Sequence, residues 1–168
     1  MNDRAPAEEP AGSQRREAIR AELQTTRDAY HELLNSLSPE DWNKKSGNPA
    51  WSVGQLMWHI AWGDNFAPQA VASCKRGRGL NPPQFIGNTV NTLITRWGAR
   101  RATPQSVAEK YDAAQPAILA ALDEVKEDEW DKGAKIFGEF ETVESALRSP
   151  VSHFKEHEAD VLKGLGRG

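Results

Sequence analysis

Three histidines carry the chemistry that this sequence makes available. His153 and His157 are four residues apart in the segment His-Phe-Lys-Glu-His, and His59 lies within the segment Trp51–Trp62. On an α-helix, residues four apart share one face with Cβ atoms about 5–6 Å apart, so two such imidazoles can bind one metal ion. A third histidine from another helix would complete a three-nitrogen site whose remaining positions stay open for water or substrate. Such open positions are typical of a catalytic metal site rather than a structural one.

Each part of this pattern also has a purely structural interpretation. The C-terminal pair is surrounded by charged residues, so it could lie on a solvated helix face. His59 lies on a helix that is apolar around most of its girth, where a buried histidine bonded to a backbone carbonyl would be the alternative. Three histidines that can converge favour the metal site over both alternatives.

Two other reactive side chains are interpreted structurally. His31 lies on the polar side of the first helix, among charged and amide side chains, and is left out of the site. Cys74 has no neighbouring base and lies on the apolar side of its helix, so we predict a buried small apolar residue.

Length and composition describe an ordinary globular domain. With 168 residues, we expect one domain over residues 13–168, preceded by a disordered tail rich in proline, alanine and glutamate at residues 1–12. The net charge of −3 argues against nucleic acid as a partner. A single cysteine excludes an intrachain disulfide. We find no secretory signal and no apolar run long enough to span a bilayer, so we expect a cytoplasmic protein without membrane contact.

Apolar residues recur every three or four positions, which predicts helices. The first helix begins at Ser13 and ends before Ser38-Pro39, and the second begins with a capping box at Ser52 and Gln55. The second helix continues to Lys75 with a kink before Pro68. Three further helices are predicted: a short one at 89–97, one from Thr103 to Val125 that is interrupted at Pro116, and one from Thr142 to Gly164. No segment alternates with period two, so we predict no sheet. The prediction is an all-α, up-and-down four-helix bundle with a crossover segment.

The last helix places its histidine pair beside small residues. His153 and His157 lie along the edge of the apolar stripe, in line with Ala146 and Gly164. We therefore expect a hollow beside the imidazoles.

The motifs that carry these histidines resemble those of one family. The segment Trp-Ser-Val-Gly-Gln-Leu-Met-Trp-His-Ile-Ala-Trp, joined to His-Phe-Lys-Glu-His near the C-terminus, resembles the DinB-like superfamily. The resemblance extends over Ser13 to Leu165. In that family, a four-helix bundle holds one divalent metal on three histidines, one on the second helix and two on the last. The resemblance implies that His59, His153 and His157 are the metal ligands.

The resemblance indicates a class of reaction less sharply than a fold. It implies a metal-dependent enzyme acting on a small molecule, first a transferase or isomerase that uses a low-molecular-weight thiol such as bacillithiol or mycothiol. A metal-dependent hydrolase is the alternative, and a non-catalytic binding or resistance protein is the alternative of another class. We expect one divalent ion, zinc or nickel, and name no catalytic residue beyond the metal centre.

Four charged residues could support this site. Glu156 and Asp160 lie on the same side of the last helix as the histidines and could orient them, although either could be a solvated acid. Arg76 and Arg78 belong to a basic segment that could cover one end of the bundle and bind a carboxylate-bearing thiol. The alternative is that this basic charge is balanced by the acidic residues at 123–131. We expect a small-molecule substrate and a homodimer.

Overall fold

The computed structural model describes residues 11–80 and 84–167, including all side chains in these ranges except those of residues 11 and 84–89. The predicted disordered tail, residues 1–12, lies outside the described residues except for Ala11 and Gly12, where the first helix begins. The C-terminal residue, Gly168, is also outside them.

Helices make up most of the described chain. They are α1 (Ala11–Asn35), α2 (Pro39–Trp42), α3 (Val53–Gly63), α4 (Ala67–Arg76), α5 (Gln84–Ala99), α6 (Pro104–Asp123) and α7 (Val143–Leu165). A 3₁₀ turn at Asp64–Phe66 joins α3 to α4. Two strands, β1 (Gly133–Ile136) and β2 (Glu139–Thr142), precede α7. The predicted all-α fold is confirmed.

Reciprocal caps determine where three of the long helices begin. Ser52, Thr103 and Thr142 each accept a hydrogen bond from the backbone N–H three residues on, and the side chain at that position bonds back to the cap. These bonds satisfy N–H groups that have no partner within the helix. The predicted starts of α3, α6 and α7 are therefore confirmed to within one residue.

Four helical units form the bundle: α1, α3 with α4, α6, and α7. Arg16 of α1 donates to the carbonyl oxygen of Leu122, near the end of α6, and Arg27 of α1 pairs with Asp112 earlier in α6, so α1 and α6 are antiparallel. The α3–α4 unit is also antiparallel to α1. It therefore runs parallel to α6, and the connection through α5 is the predicted crossover. Because of this crossover, the helix directions do not alternate strictly.

The core has two clusters of buried side chains, one at each end of the bundle. One contains α4, β1 and the N-terminal halves of α1 and α7. The other contains α3 and the C-terminal halves of α1 and α7. The site described below lies where the second cluster meets a cavity. In the part of the chain that the structure describes, no helix is both long and apolar enough to cross a bilayer.

The prediction of no sheet is wrong, because β1 and β2 form an antiparallel hairpin. Each strand has four residues, which is too short for alternation to stand out in the sequence. The turn residues Phe137 and Gly138 have φ of 50° and 97°. Such turns usually contain asparagine or aspartate before glycine, so phenylalanine gave no hairpin signal.

The predicted interruption at Pro116 is also wrong, because α6 continues through it. Proline removes one backbone donor from a helix without always ending it. Near the C-terminus, α7 likewise continues through Pro150. There the hydroxyl of Ser149 donates to the carbonyl oxygen of Ala146, the group that the missing N–H of Pro150 would have bound, at 2.9 Å. The helix therefore stays intact one turn before His153.

Candidate metal centre

The three predicted histidines converge between α3 and α7. Nε2 of His59 lies 3.2 Å from Nε2 of His153. One ring nitrogen from each of His59, His153 and His157 lies within 4.8 Å of the others. Two nitrogen ligands about 2.1 Å from one ion, at angles between 90° and 110°, are about 3.0–3.4 Å apart. The first pair thus has the separation of two ligands of a single ion, and the nitrogen of His157 lies within 4.8 Å of both.

Neighbours of His59 orient its ring so that Nε2 faces the other histidines. Its Nδ1 lies 3.2 Å from the hydroxyl oxygen of Thr95, a fully buried residue of α5. Trp51 stacks on the ring with centroids 4.5 Å apart. If Nδ1 carries the proton and donates it to Thr95, Nε2 keeps its lone pair for a metal ion. Thr95 and Trp51 contact His59, and the sequence analysis named neither of them as a site residue.

Different features place the two histidines of α7. Asp160 lies one turn after His157, with its Oδ2 3.4 Å from Nδ1 of the imidazole. Gly63, at the end of α3, makes room for His153, since an added Cβ would lie 2.6 Å from Cε1 of that ring. The close approach of the two helices at this level therefore depends on a residue without a side chain.

Burial keeps two of these imidazoles neutral. The pKa of His59 is lowered from 6.5 to about 4, chiefly by burial and to a smaller extent by the neighbouring His157. Burial also lowers the pKa of His153, to about 3, with smaller effects from His157 and His59. Neutral imidazole is the form that binds a metal ion, because the ligand nitrogen must have a free lone pair. The donor set, its spacing and its charge state all fit a divalent ion.

The histidines border a cavity of about 950 Å³. Its walls are largely apolar and come from α3, α4, α5, α7 and the hairpin. Apolar and aromatic lining residues include Trp62, Phe66, Ala67, Ala70, Val90, Ile94, Ile136, Phe137 and Ala146. A cavity of this size and composition is typical of a small-molecule site.

Asp64 is the least expected residue on the cavity wall. It is 2% exposed, and neither carboxylate oxygen has a hydrogen-bond partner among the described residues. Burial raises its pKa from 3.8 to about 7. A buried polar group without a partner is costly, and such groups concentrate at functional sites. No motif marked Asp64 in the sequence; the signal available was one acid in an otherwise apolar helical segment.

The structure brings some of the other predicted site residues to the cavity and leaves others away from it. Glu156 is exposed and lines the cavity beside the histidines, and Asp160 contacts His157 as described. Arg76 and Arg78 are both exposed, and neither is among the lining residues. They therefore do not reach the histidines in this conformation.

The residues that were interpreted structurally behave as expected. His31 pairs with Asp112 at 2.9 Å, away from the cavity, and Cys74 is fully buried. The predicted hollow is present at Ala146. It is absent at Gly164, where an added Cβ would lie 2.4 Å from the carbonyl oxygen of Lys45, because the connection after α2 packs there.

A comparison with known families agrees with this architecture. The family model of the DinB superfamily matches residues 22–159, most of the chain and all three histidines. The chain belongs to the DinB superfamily. No significant match was found among curated proteins or solved structures. Membership in the DinB superfamily is compatible with a metal-binding protein, and the three histidines could hold a metal ion.

Proposed function

We propose that this DinB superfamily protein is a metal-dependent enzyme that acts on a small molecule, with a divalent ion held by His59, His153 and His157. The observation that carries the proposal is the convergence of these imidazoles on the wall of a largely apolar cavity. A structural cluster of histidines would have no need of an adjoining cavity. The fit of the nitrogen spacing to a shared ion supports the same proposal.

The reaction we favour is thiol-dependent transfer or isomerisation. A divalent ion on three neutral ligands retains its full charge, so it would deprotonate a coordinated thiol and would lower the pKa of coordinated water towards neutrality. Thr95 would hold the ring of His59 through Nδ1, and Asp160 would do the same for His157. The apolar walls would keep bulk water away from the bound thiolate, which strengthens electrostatic interactions within the site.

Metal content tests the site. We expect about one zinc or nickel ion per chain after purification, measured by elemental analysis. His59→Ala, His153→Ala and His157→Ala should each lose most of it, because two ligands bind far more weakly than three. His31→Ala is the matched control, since His31 is also hydrogen-bonded but lies away from the cavity. Equal metal content in all four variants would rule out the site.

The reaction class needs a second experiment. In cobalt-substituted protein, low-molecular-weight thiols should change the d–d absorption spectrum, because a soft thiolate binds well at an open position and releases a proton. If no thiol changes the spectrum and the protein hydrolyses an ester or amide, the hydrolase is favoured. If no thiol changes the spectrum and no substrate is turned over, the binding or resistance protein is favoured.

A further inference from the structure

We infer that Asn91 donates a hydrogen bond from its side-chain amide to the ligand of the cavity. The ligand class that fits is an uncharged molecule with a carbonyl oxygen on an apolar body. This inference deepens the proposed function by naming a substrate class for the same cavity, and it rests on that function for the claim that the ligand is a substrate. The binding itself depends on the cavity and on Asn91.

Asn91 lies on the inner face of α5, one helical turn before the residue that contacts His59. Residues four apart on a helix share a face, and the later of the two, Thr95, is fully buried against His59. Val90 and Ile94, which flank this face, line the cavity together with Asn91. The side chain of Asn91 is therefore part of the cavity wall, one turn of helix from the metal site.

The amide of Asn91 has hydrogen-bonding groups that no described residue uses. Its Oδ1 is buried without a partner. Its Nδ2 is also bonded to no described residue, but it is not among the buried atoms that lack a partner, so it is the end of the amide that remains accessible. Because Asn91 lines the cavity, a ligand there can reach this nitrogen. An amide nitrogen has two N–H donors and no acceptor, so the ligand group that it binds must accept a hydrogen bond.

The two serines on the wall are less suited to this role. The hydroxyl of Ser149 donates to the carbonyl oxygen of Ala146, and that of Ser152 donates to the carbonyl oxygen of Ser149, at 2.9 and 3.1 Å. A hydroxyl has a single hydrogen, so neither serine can donate to a ligand without losing a bond within α7. Asn91 can donate without such a loss, which favours it as the group that recognises the ligand.

The charges on the wall favour an uncharged acceptor over an anion. Glu139, Glu141 and Glu156 line the cavity, and its described lining contains no lysine or arginine. Residues 81–89, whose side chains are not described, contain no charged residue in the sequence. A carboxylate would therefore meet like charge away from the metal site, whereas the carbonyl of a ketone, ester or amide would not. The largely apolar walls suit an apolar body attached to that carbonyl.

Two matched probes isolate the carbonyl oxygen. Acetophenone and α-methylstyrene have the same number of heavy atoms and a similar shape, but the second has a CH₂ group in place of the oxygen. In the metal-loaded protein, Asn91→Leu should weaken the binding of acetophenone about fivefold, the usual effect of losing one uncharged hydrogen bond. It should change the binding of α-methylstyrene less than about twofold, because leucine and asparagine are similar in size and this probe accepts no such bond. NMR titration at pH 7.5 measures both dissociation constants.

Two controls separate Asn91 from a general effect on the cavity. Ser152→Ala also removes a polar group from the wall, but one that already donates within α7. It should leave the ratio of the two dissociation constants unchanged. In the unmodified protein, acetophenone should shift the side-chain amide protons of Asn91 downfield relative to α-methylstyrene, a measurement that needs no variant. Circular dichroism and melting curves establish that both variants are folded.

The preference for an uncharged ligand has its own test. Benzoate presents a similar ring with a carboxylate, and in metal-free His153→Ala no ion is available to bind it. We expect benzoate to bind this variant roughly threefold more weakly than acetophenone, because the acids on the wall repel it. Tighter binding of benzoate than of acetophenone would overturn the uncharged class.

The outcomes distinguish this inference from the proposed function. If Asn91→Leu weakens both probes equally, or if the two probes shift the amide protons of Asn91 alike, the inference is wrong. The effect of Asn91→Leu should persist when it is combined with His153→Ala, because Asn91 does not depend on the metal. Carbonyl selectivity in a protein that binds no metal would therefore reject the proposed function alone, and metal binding without the selectivity would reject the inference alone.

Discussion

Burial lowers the pKa of His153 and raises the pKa of Asp64, and both shifts favour the uncharged form. The imidazole loses its proton more readily and the carboxyl group holds its proton more tightly, so both tend towards the neutral form. In each case the folded protein bears a cost whenever the group becomes charged. A metal ion at the histidines would use the neutral form that burial already favours.

The cost at Asp64 predicts a variant that is more stable than the natural protein. The pKa of Asp64 is raised from 3.8 to about 7, so its contribution to stability is greatest below pH 3.8 and is lost as the pH rises through 7. Asp64→Asn cannot ionise. We expect it to increase the free energy of unfolding of the metal-free protein by about 1–3 kcal/mol at pH 8, with the difference shrinking towards pH 4. Urea unfolding at both pH values measures this, and a variant destabilised equally at both would contradict it.

The histidines should give stability the opposite dependence on pH. This dependence should be easier to measure in Asp64→Asn, which lacks the opposing effect of Asp64. His59 and His153 have pKa values lowered from 6.5 to about 4 and about 3. Unfolding lets them take up protons below pH 6.5, so stability is lost as the pH falls from there towards 4. In metal-free Asp64→Asn, each histidine should contribute a slope of up to about 1.4 kcal/mol per pH unit. The slope should be shallower with Asp64 present. A flat profile between pH 6.5 and 4.5 in the variant would disprove the effect.

At the scale of elements, α3 and α7 carry the three histidines, and α5 contacts one of them through Thr95. The sequence predicted where α3 and α7 begin, because capping boxes at Ser52 and Thr142 define their starts. It did not predict the end of α3 at Gly63, since the apolar spacing continues through the 3₁₀ turn into α4. The position of His153 and His157 on one face of α7 was predictable too, because their spacing is a local property of one helix. Contacts between elements distant in the sequence were not predictable in this way.

Thr95 and Asp64 show why part of the site escaped sequence analysis. Thr95 meets His59 across 36 residues of sequence, and only the packing of the crossover helix α5 on α3 brings them together. Asp64 is unusual because of its burial and missing partners, which no spacing of residue types encodes. Arg76 and Arg78 were chosen for their charge, but α4 ends at Gly77 in a left-handed conformation, and both side chains are exposed.

The contact between α5 and the site gives a prediction for Thr95. Thr95→Val keeps the shape of the side chain but removes the oxygen that can accept from Nδ1 of His59, so the imidazole loses its fixed orientation. We expect metal affinity to fall about 10- to 100-fold, the usual cost of removing such a partner. Thr92→Val is the matched control, since it makes the same chemical change one turn earlier in α5, away from the cavity lining. Competition with a chromogenic chelator measures both, and equal losses would show that α5 is simply destabilised.

At the scale of the whole molecule, the three histidines come from two units, the α3–α4 unit and α7, that border the same cavity. The α3–α4 unit and α7 are antiparallel neighbours, and the cavity lies between them, α5 and the hairpin. On α5, Leu93 and Trp97 are 59% and 69% exposed. Exposed apolar side chains of this size often mark interaction surfaces, but the predicted homodimer stays a prediction.

Metal binding should therefore stabilise the fold by joining these two units. An ion that binds the folded chain and not the unfolded one adds RT ln(1 + [M]/Kd) to the free energy of unfolding, about 2.7 kcal/mol at a free concentration of 100 Kd. For a domain of this length, that corresponds to a rise in Tm of roughly 5–10 °C. Scanning calorimetry of metal-free protein with added zinc or nickel measures the rise.

The same rise should appear in His31→Ala and be nearly absent in His153→Ala, because only the second variant loses a ligand. Hydrogen exchange gives the location of the effect: added metal should slow exchange most around His59 in α3 and around His153 and His157 in α7. The N-terminal half of α1, which packs in the other core cluster, should change least. If the metal slows exchange evenly over the bundle, or still raises the Tm of His153→Ala, the ion binds somewhere other than the three histidines.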